Sequence, residues 1–442
     1  MRTRKLLFWP LSLAAFVGGS AGWAQTPSSY SVSLAPPSYN SDKLFEARAL
    51  ESAGPLTLAE AIRLASSANP ELAASYREVD AQEGSVIQAG VWRNPELASL
   101  VEDRQKATRT TTVQINQPIE LGGKRGARID VAERGRDIAS ADLNAKQAEI
   151  RANVITAFFD VLAAQERIKI AQSLLELAQR STLAASRRVV AGRISPVEET
   201  KARVAEAAVR VDLAQAASDL SNARRRLTAN WGNPAPRFQV ADGQAERLPA
   251  LPAAATLDAR FDTAPGLARA RLEVERRDAI VQLEKARRIP DVTVSLGTKH
   301  VEELGRNQAI VGLAIPIPIF DRNQGNQLEA LHRRDKAKDE LAATQVRLST
   351  ELGQAYEQLK TARLEAESLQ KEILPGAQSA FDAATTGFSL GKFSFLEVLD
   401  AQRTLFQAKS QYLRALAVAH RAAADMDRIL GTTESTPRKE FP

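Results

Sequence analysis

Three histidines, two methionines and no cysteine are the only soft or borderline metal ligands in this 442-residue chain. His300, His332 and His420 stand far apart, and none shows the H-x-x-x-H or H-E-x-x-H spacing that sets two imidazoles on one helical face. Repeated soft-ligand metal sites cannot be assembled from this set. The lack of thiols also excludes disulfides and a thiol nucleophile. Gly122-Gly123-Lys124-Arg125 has the residue types of a phosphate loop without its spacing, and it fits a strand-to-helix junction better. There is no Walker loop, Rossmann fingerprint or G-x-S-x-G turn. The chain therefore reads as a non-enzyme with no cofactor.

What the sequence does carry is a matched pair of turns. Gly192-Arg193-Ile194-Ser195-Pro196-Val197-Glu198 recurs as Gly391-Lys392-Phe393-Ser394-Phe395-Leu396-Glu397, at an offset of about 199 residues. Each copy runs glycine, base, apolar residue, serine, and then S-x-x-E. That is a capping box, in which the serine accepts from the N3 amide and the glutamate reaches back to the N-cap amide. Pro196 takes N1, where a missing N–H costs nothing, and Gly192 and Gly391 suit the C′ position of the helix before.

The turns belong to a larger duplication. Asn69-Pro70-Glu71-Leu72 answers to Ala264-Pro265-Gly266-Leu267, and Arg93-Asn94-Pro95-Glu96 to Arg288-Ile289-Pro290-Asp291, both at an offset of about 195. Each copy reads helix, strand, strand, very long helix, tight turn, helix. The first covers residues 55–232, with strands at 95–103 and 110–118, a long helix at 123–190 and its turn at 192–195. The second covers 263–431, with strands at 291–298 and 309–318, a long helix at 325–390 broken by Pro375-Gly376, and its turn at 391–394. A Pro- and Ala-rich linker, 233–262, separates them, and the tail 432–442 looks extended.

The expected strands alternate apolar with small or polar residues, as in Val292, Val294, Leu296 against Thr293, Ser295. Their length fits either a half-buried hairpin of a soluble domain or a membrane β-barrel. Four strands cannot close, and lipid tolerates no open edge, so a membrane role demands oligomerisation. Two copies would give eight strands and a filled interior, whereas three would give twelve and a lumen. The helix over 123–190, about 68 residues at ~1.5 Å each, would be a rod on the order of 100 Å long, suited to packing side by side as a stave of a tube.

Composition agrees with long helices: 44% hydrophobic, 25% charged and 5% aromatic. The formal charge of +6 comes from Lys and Arg interleaved with Glu and Asp at helical spacing, which is a solvated face rather than a nucleic-acid stripe. Arg2, Arg4 and Lys5, the apolar run Leu6 to Val17, and Gly22-Trp23-Ala24 form a secretory signal over residues 1–24. An extended segment, 25–54, follows. With no later apolar run of ~18 residues and no cysteine for a lipid anchor, membrane residence would have to come from β-structure.

Leu56 to Gly431 resembles the TolC-like outer-membrane factors of tripartite efflux pumps, most specifically along Gly391 to Ala401 and on to Leu405-Phe406-Gln407-Ala408-Lys409. Gln117-Pro118-Ile119-Glu120-Leu121-Gly122-Gly123-Lys124-Arg125 and Ile315-Pro316-Ile317-Pro318-Ile319-Phe320-Asp321-Arg322-Asn323-Gln324-Gly325 are similar to the subunits of cobalt–zinc–cadmium-type heavy-metal pumps. The resemblance implies a mostly α protein with a membrane β-barrel. It implies a homotrimer with twelve strands in outer-membrane lipid, a periplasmic helical tunnel, and an equatorial collar from the linker and termini. The implied partners are a periplasmic adaptor and an inner-membrane proton-driven transporter of the RND class. It also implies a periplasmic entrance ringed by Glu397 and Asp400, with Glu198 and Lys201 at the equivalent places of the first copy. Gly192-Arg193-Ile194-Ser195 and Gly391-Lys392-Phe393-Ser394 would be adaptor-docking turns. Organic efflux or type I secretion would use the same channel, and a periplasmic coiled-coil adaptor is the alternative of another class.

Overall fold

The computed structural model describes residues 51, 54–244 and 246–431. The expected signal at 1–24, most of the segment 25–54 and the tail 432–442 lie outside the described residues.

The first copy opens with a two-residue strand, β1 (Leu56–Thr57), and two helices, α1 (Leu58–Ala68) and α2 (Pro70–Ala89). Asn69 separates them: its side chain accepts from the Leu72 amide at 2.8 Å, and Pro70 starts the new helix. Strands β2 (Glu96–Glu102) and β3 (Thr110–Ile119) follow, then α3 (Lys124–Val190) and α4 (Pro196–Ala229). At 67 residues, α3 is about 100 Å long. The linker contributes β4 (Ala241–Asp242) and a short helix, α5 (Ala254–Phe261). The second copy contains α6 (Pro265–Arg287), β5 (Val292–Val301), β6 (Arg306–Ala314), α7 (Gln324–Ser368), α8 (Leu374–Ser389) and α9 (Phe395–Leu430).

The rod expected over 325–390 is broken differently from the sequence reading. A π-helical turn, Leu369–Ile373, joins α7 to α8 and places Pro375 in the first turn of α8. Proline removes one helical donor, and a π turn shifts the hydrogen-bond ladder so that the helix continues past it. The strand expected over 309–318 also differs, running from Arg306 to Ala314. Its alternation continues through Ile315 and Ile317, but Pro316 and Pro318 have no N–H to give to a ladder.

The two hairpins form one sheet, ordered β2-β3-β5-β6 and antiparallel throughout, with β3 and β5 joining the copies. A second, parallel pair connects the linker to the start of the fold, with Leu56 opposite Ala241. The core is distributed along the helices. One cluster packs Phe158, Val161, Leu227 and Trp231 beneath α1, and another packs Leu267, Leu359 and Met426 where α6, α7 and α9 meet. Buried alanines are frequent on α3, α7 and α9, which lets helix axes approach closely.

The linker and the preceding segment do more than connect. Glu51 is buried and accepts from Trp231 Nε1 at 3.1 Å, Asn233 Nδ2 at 2.5 Å, and the amides of Arg237 at 2.6 Å and Phe238 at 2.9 Å. A buried carboxylate is stable only with such donors. Part of the segment expected to be merely extended is thus fastened into the fold.

Candidate functional site: the sheet faces and the paired turns

Register decides which side chains share a face. Leu97, Ile115, Leu296 and Val311 form one row across the four strands. All four are exposed, as are Val101, Val113 and Leu313, which share their side. The neighbouring row, Glu96, Asn116, Ser295 and Gly312, faces the other way, and there Ser295 Oγ donates to Asn116 Oδ1 at 2.7 Å. One face is therefore mainly apolar and uncovered, and the other mainly small and polar, with Leu100 and Ile310 as its apolar exceptions. The strands β2 and β6 each leave one edge unpaired. No described helix is long and apolar enough to cross a membrane.

At the far end of the rods the two turns are built alike. Gly192 and Gly391 sit at φ of 69° and 75°, which glycine adopts without cost. Gly192 N–H donates to Val189 O at 2.9 Å and Arg193 N–H to Arg188 O at 2.8 Å. Gly391 N–H donates to Phe388 O at 3.0 Å and Lys392 N–H to Gly387 O at 2.8 Å. Both are Schellman motifs, satisfying carbonyls at the helix ends.

The helix starts then diverge. Ser394 N–H donates to Glu397 Oε2 at 2.6 Å, completing the second capping box. In the first turn Ser195 Oγ accepts from the Val197 amide at 3.3 Å, but Glu198 does not reach back, because it pairs with Lys201 Nζ at 3.2 Å. The first box is only half formed. Of the acidic residues, Glu397 is engaged by its own helix cap, Glu198 by Lys201, and Asp400 is exposed with no ion pair among the described residues. Arg193, Ser195, Lys392 and Ser394 are exposed. Ile194 instead packs beside Ala185, Ala202, Phe388 and Val398, tying the two turns into one cluster. Phe393 lies against Gly387, where a Cβ would overlap its ring.

One contributor was not evident from the sequence. Arg188, in the last turn of α3, donates to Phe388 O at 2.7 Å and to Ser389 O at 3.5 Å, and its guanidinium lies 4.1 Å from the Phe388 ring centroid. Its only sequence signal is a base in the last turn of a helix, where the dipole favours one.

A charged cluster lies where the sheet meets the rods. The carboxylate of Glu120, whose side chain is 4% exposed, accepts from Arg128 and lies 3.4 Å from Arg93 Nε. Asp291 takes Lys124 Nζ at 2.5 Å. The Arg128 hydrogen bond holds the Glu120 carboxyl below the ordinary value of 4.5 against its partial burial. Lys124, from the glycine-rich stretch with a superficial likeness to a phosphate loop, serves this junction.

The three histidines remain apart. His300 Nδ1 meets Asn307 Oδ1 at 2.6 Å across the β5–β6 pair, His332 lies on α7, and His420 stacks on Phe159 at 3.4 Å. Among the described residues, no three His, Asp or Glu side chains gather as metal ligands would.

Several known proteins are similar to this chain. The chain is 49% identical over 426 residues, covering 96% of it and 99% of the relative, to the cobalt-zinc-cadmium resistance protein CzcC of Cupriavidus metallidurans. It is 31% identical to the nickel and cobalt resistance protein CnrC of the same organism, over 66% of this chain and 71% of that one. Among solved structures, CusC superposes with a TM-score of 0.72 at 19% identity, covering 85% and 92% of the two chains. The open-state MtrE outer membrane channel of Neisseria gonorrhoeae gives 0.71 at 18% identity, covering 85% and 88%. Residues 61–233 and 261–432 match the family described as outer membrane efflux protein. With these two segments spanning most of its length, the chain belongs to the outer membrane efflux protein family.

Proposed function

We propose that three copies of this chain form the outer-membrane exit duct of a heavy-metal efflux pump, moving cations such as cobalt, zinc or cadmium to the exterior without catalysing a reaction. The observation that carries this reading is the sheet: an uncovered apolar face, a polar opposite face and two unpaired edges, on a chain 49% identical to a cobalt-zinc-cadmium resistance protein. In lipid those edges must find partners, and three copies joined β6 to β2 give twelve strands around a polar lumen. The rods would continue the duct across the periplasm. Val197, Val204 and Val211, exposed at seven-residue intervals on α4, supply an apolar seam for a neighbouring stave.

The paired turns would stand at the periplasmic entrance. There Gly192, Arg193, Ser195, Gly391, Lys392, Phe393 and Ser394 would meet a periplasmic adaptor linked to an inner-membrane transporter, with Ile194 holding the turns together from inside. Only a partner that binds the splayed turns better than the closed ones can open the entrance. Asp400, three times repeated, would attract cations there, with Glu198 and Glu397 acting chiefly through helix geometry.

Extraction and mass test the assembly. Membranes holding the full chain should release it to detergent and not to high salt, as a complex of three copies. Release by salt as a monomer would favour a peripheral coiled-coil adaptor instead.

A further inference from the structure

Glu96 opposes Asn116 and Thr293 opposes both Pro118 and Ala314, so β2 and β5 begin, and β3 and β6 finish, at the same end of the sheet. This end adjoins the rods. We propose that it is a binding surface for membrane phospholipid of the periplasmic leaflet, with Lys285, Arg288 and Arg322 holding anionic headgroup phosphates and Trp92, Ile317 and Phe320 entering the acyl region. The proposal rests on the membrane-embedded sheet of the preceding reading and adds its lipid preference.

Two independent features meet here. The first is apolar exposure beyond the ladder. Phe320 is 90% exposed, Ile317 79% and Trp92 63%, within a few residues of the strand ends. Large apolar side chains exposed at both edges of one sheet end point to an interaction surface. A neighbouring copy could cover the chain after Ala314 by extending β6, but Pro316 and Pro318 would leave such an extension short of donors on the side they face. Lipid makes no such demand.

The second is an excess of positive charge. The buried and half-buried acids of this end already have partners: Glu120 has Arg128 and Arg93, Asp291 has Lys124, and Glu284 has Arg287 at 2.7 Å and Asn323 at 2.7 Å. Arg125 lies over the Trp92 ring at 5.3 Å. Lys285, Arg288 and Arg322 are exposed, and no ion pair engages them among the described residues. Exposed Asp321 accepts from the Asn323 amide at 2.8 Å, and Glu96 is the other exposed acid of this end. Long basic side chains near exposed apolar residues can place their charge at the phosphate level, and an interfacial tryptophan at the same end of the sheet fits that depth. Each such base near an anionic surface strengthens attraction several-fold.

The test titrates phosphatidylglycerol or phosphatidylcholine into the detergent-purified full chain and follows thermal unfolding. The expected result is an apparent affinity for phosphatidylglycerol about tenfold or more above that for phosphatidylcholine. K285Q/R288Q/R322Q should abolish the difference while leaving the lipid-free unfolding midpoint and complex mass intact, and K285R/R288K/R322K should retain it. I317S/F320S should weaken the binding of both lipids. Equal responses of the wild type to the two lipids, or an anionic preference surviving in the glutamine variant, would overturn the proposal. So would a glutamine variant that fails to assemble, since that would assign the surface to contact between copies. Release of the wild-type chain by salt is a separate outcome, which would remove the membrane reading beneath it.

Discussion

Arg188 and Phe388 lie 200 residues apart in sequence, yet the guanidinium donates to the Phe388 carbonyl at 2.7 Å while lying over the same residue's ring. One side chain of the first copy therefore closes the helix end of the second. A hydrogen bond from a charged donor contributes about 1.5–3 kcal/mol, and a cation–π contact at an exposed site about 0.5–1.

Removing that link should loosen the paired turns. Arg188→Ala should raise the resting conductance of reconstituted channels several-fold, and Arg188→Lys, which keeps the charge without the planar fork, should fall between. Conductance in planar bilayers measures this. Unchanged values in both variants would reduce Arg188 to a local cap.

The acidic residues of the turns should separate by role. Glu397→Ala removes a capping partner and should cost about 1 kcal/mol of stability, with little effect on ion preference. Asp400→Asn should leave stability unchanged and lower cation-over-anion selectivity, read as a shift in reversal potential. The reverse pattern would return Asp400 to ordinary surface and make Glu397 the entrance charge.

Glu51 should matter to stability out of proportion to its place near the start of the fold. Its carboxylate serves four donors, from Trp231, Asn233, Arg237 and Phe238. Glu51→Ala leaves them without an acceptor, at a cost of about 3 kcal/mol or more, and Glu51→Gln should cost less. Thermal unfolding in detergent gives the comparison, and equal loss in both variants would show that charge, rather than acceptance, is what the site requires.

Acid should act through the junction of sheet and rods. The folded-state pKa of Glu120 lies below its unfolded value of 4.5, chiefly through the Arg128 hydrogen bond. Its stabilisation is thus complete above about pH 4.5 and is lost as pH falls through the lowered folded value. The wild type should lose stability more steeply than Glu120→Gln over that acidic range, and be more stable than it at neutral pH. Parallel acid profiles would remove Glu120 from the account.

Local signals were the legible part of this chain. The Gly-to-Ser-x-x-Glu turns need only neighbouring residues, so sequence placed both, and the duplication that repeats them marked the two copies. Even the asymmetry of the boxes has a local cause, since Lys201 lies three residues after Glu198 and competes for it, whereas Asp400 follows Glu397 and cannot. The end of β6 was misread because hydrophobic alternation persists through Ile317 while the donors of Pro316 and Pro318 do not exist. Arg188–Phe388 and Glu51–Trp231 were invisible for a different reason. They join residues 200 and 180 positions apart, and only the antiparallel return of the rods and the folding of the linker bring them together.

Metal export is tested by the growth of a strain lacking this chain across zinc, cobalt, cadmium, nickel, copper and silver, alongside dyes and detergents, with the full chain restored in a parallel culture. The expected result is sensitivity to a subset of the metals alone, reversed by the restored chain. Sensitivity confined to the organic compounds, reversed in the same way, would contradict it.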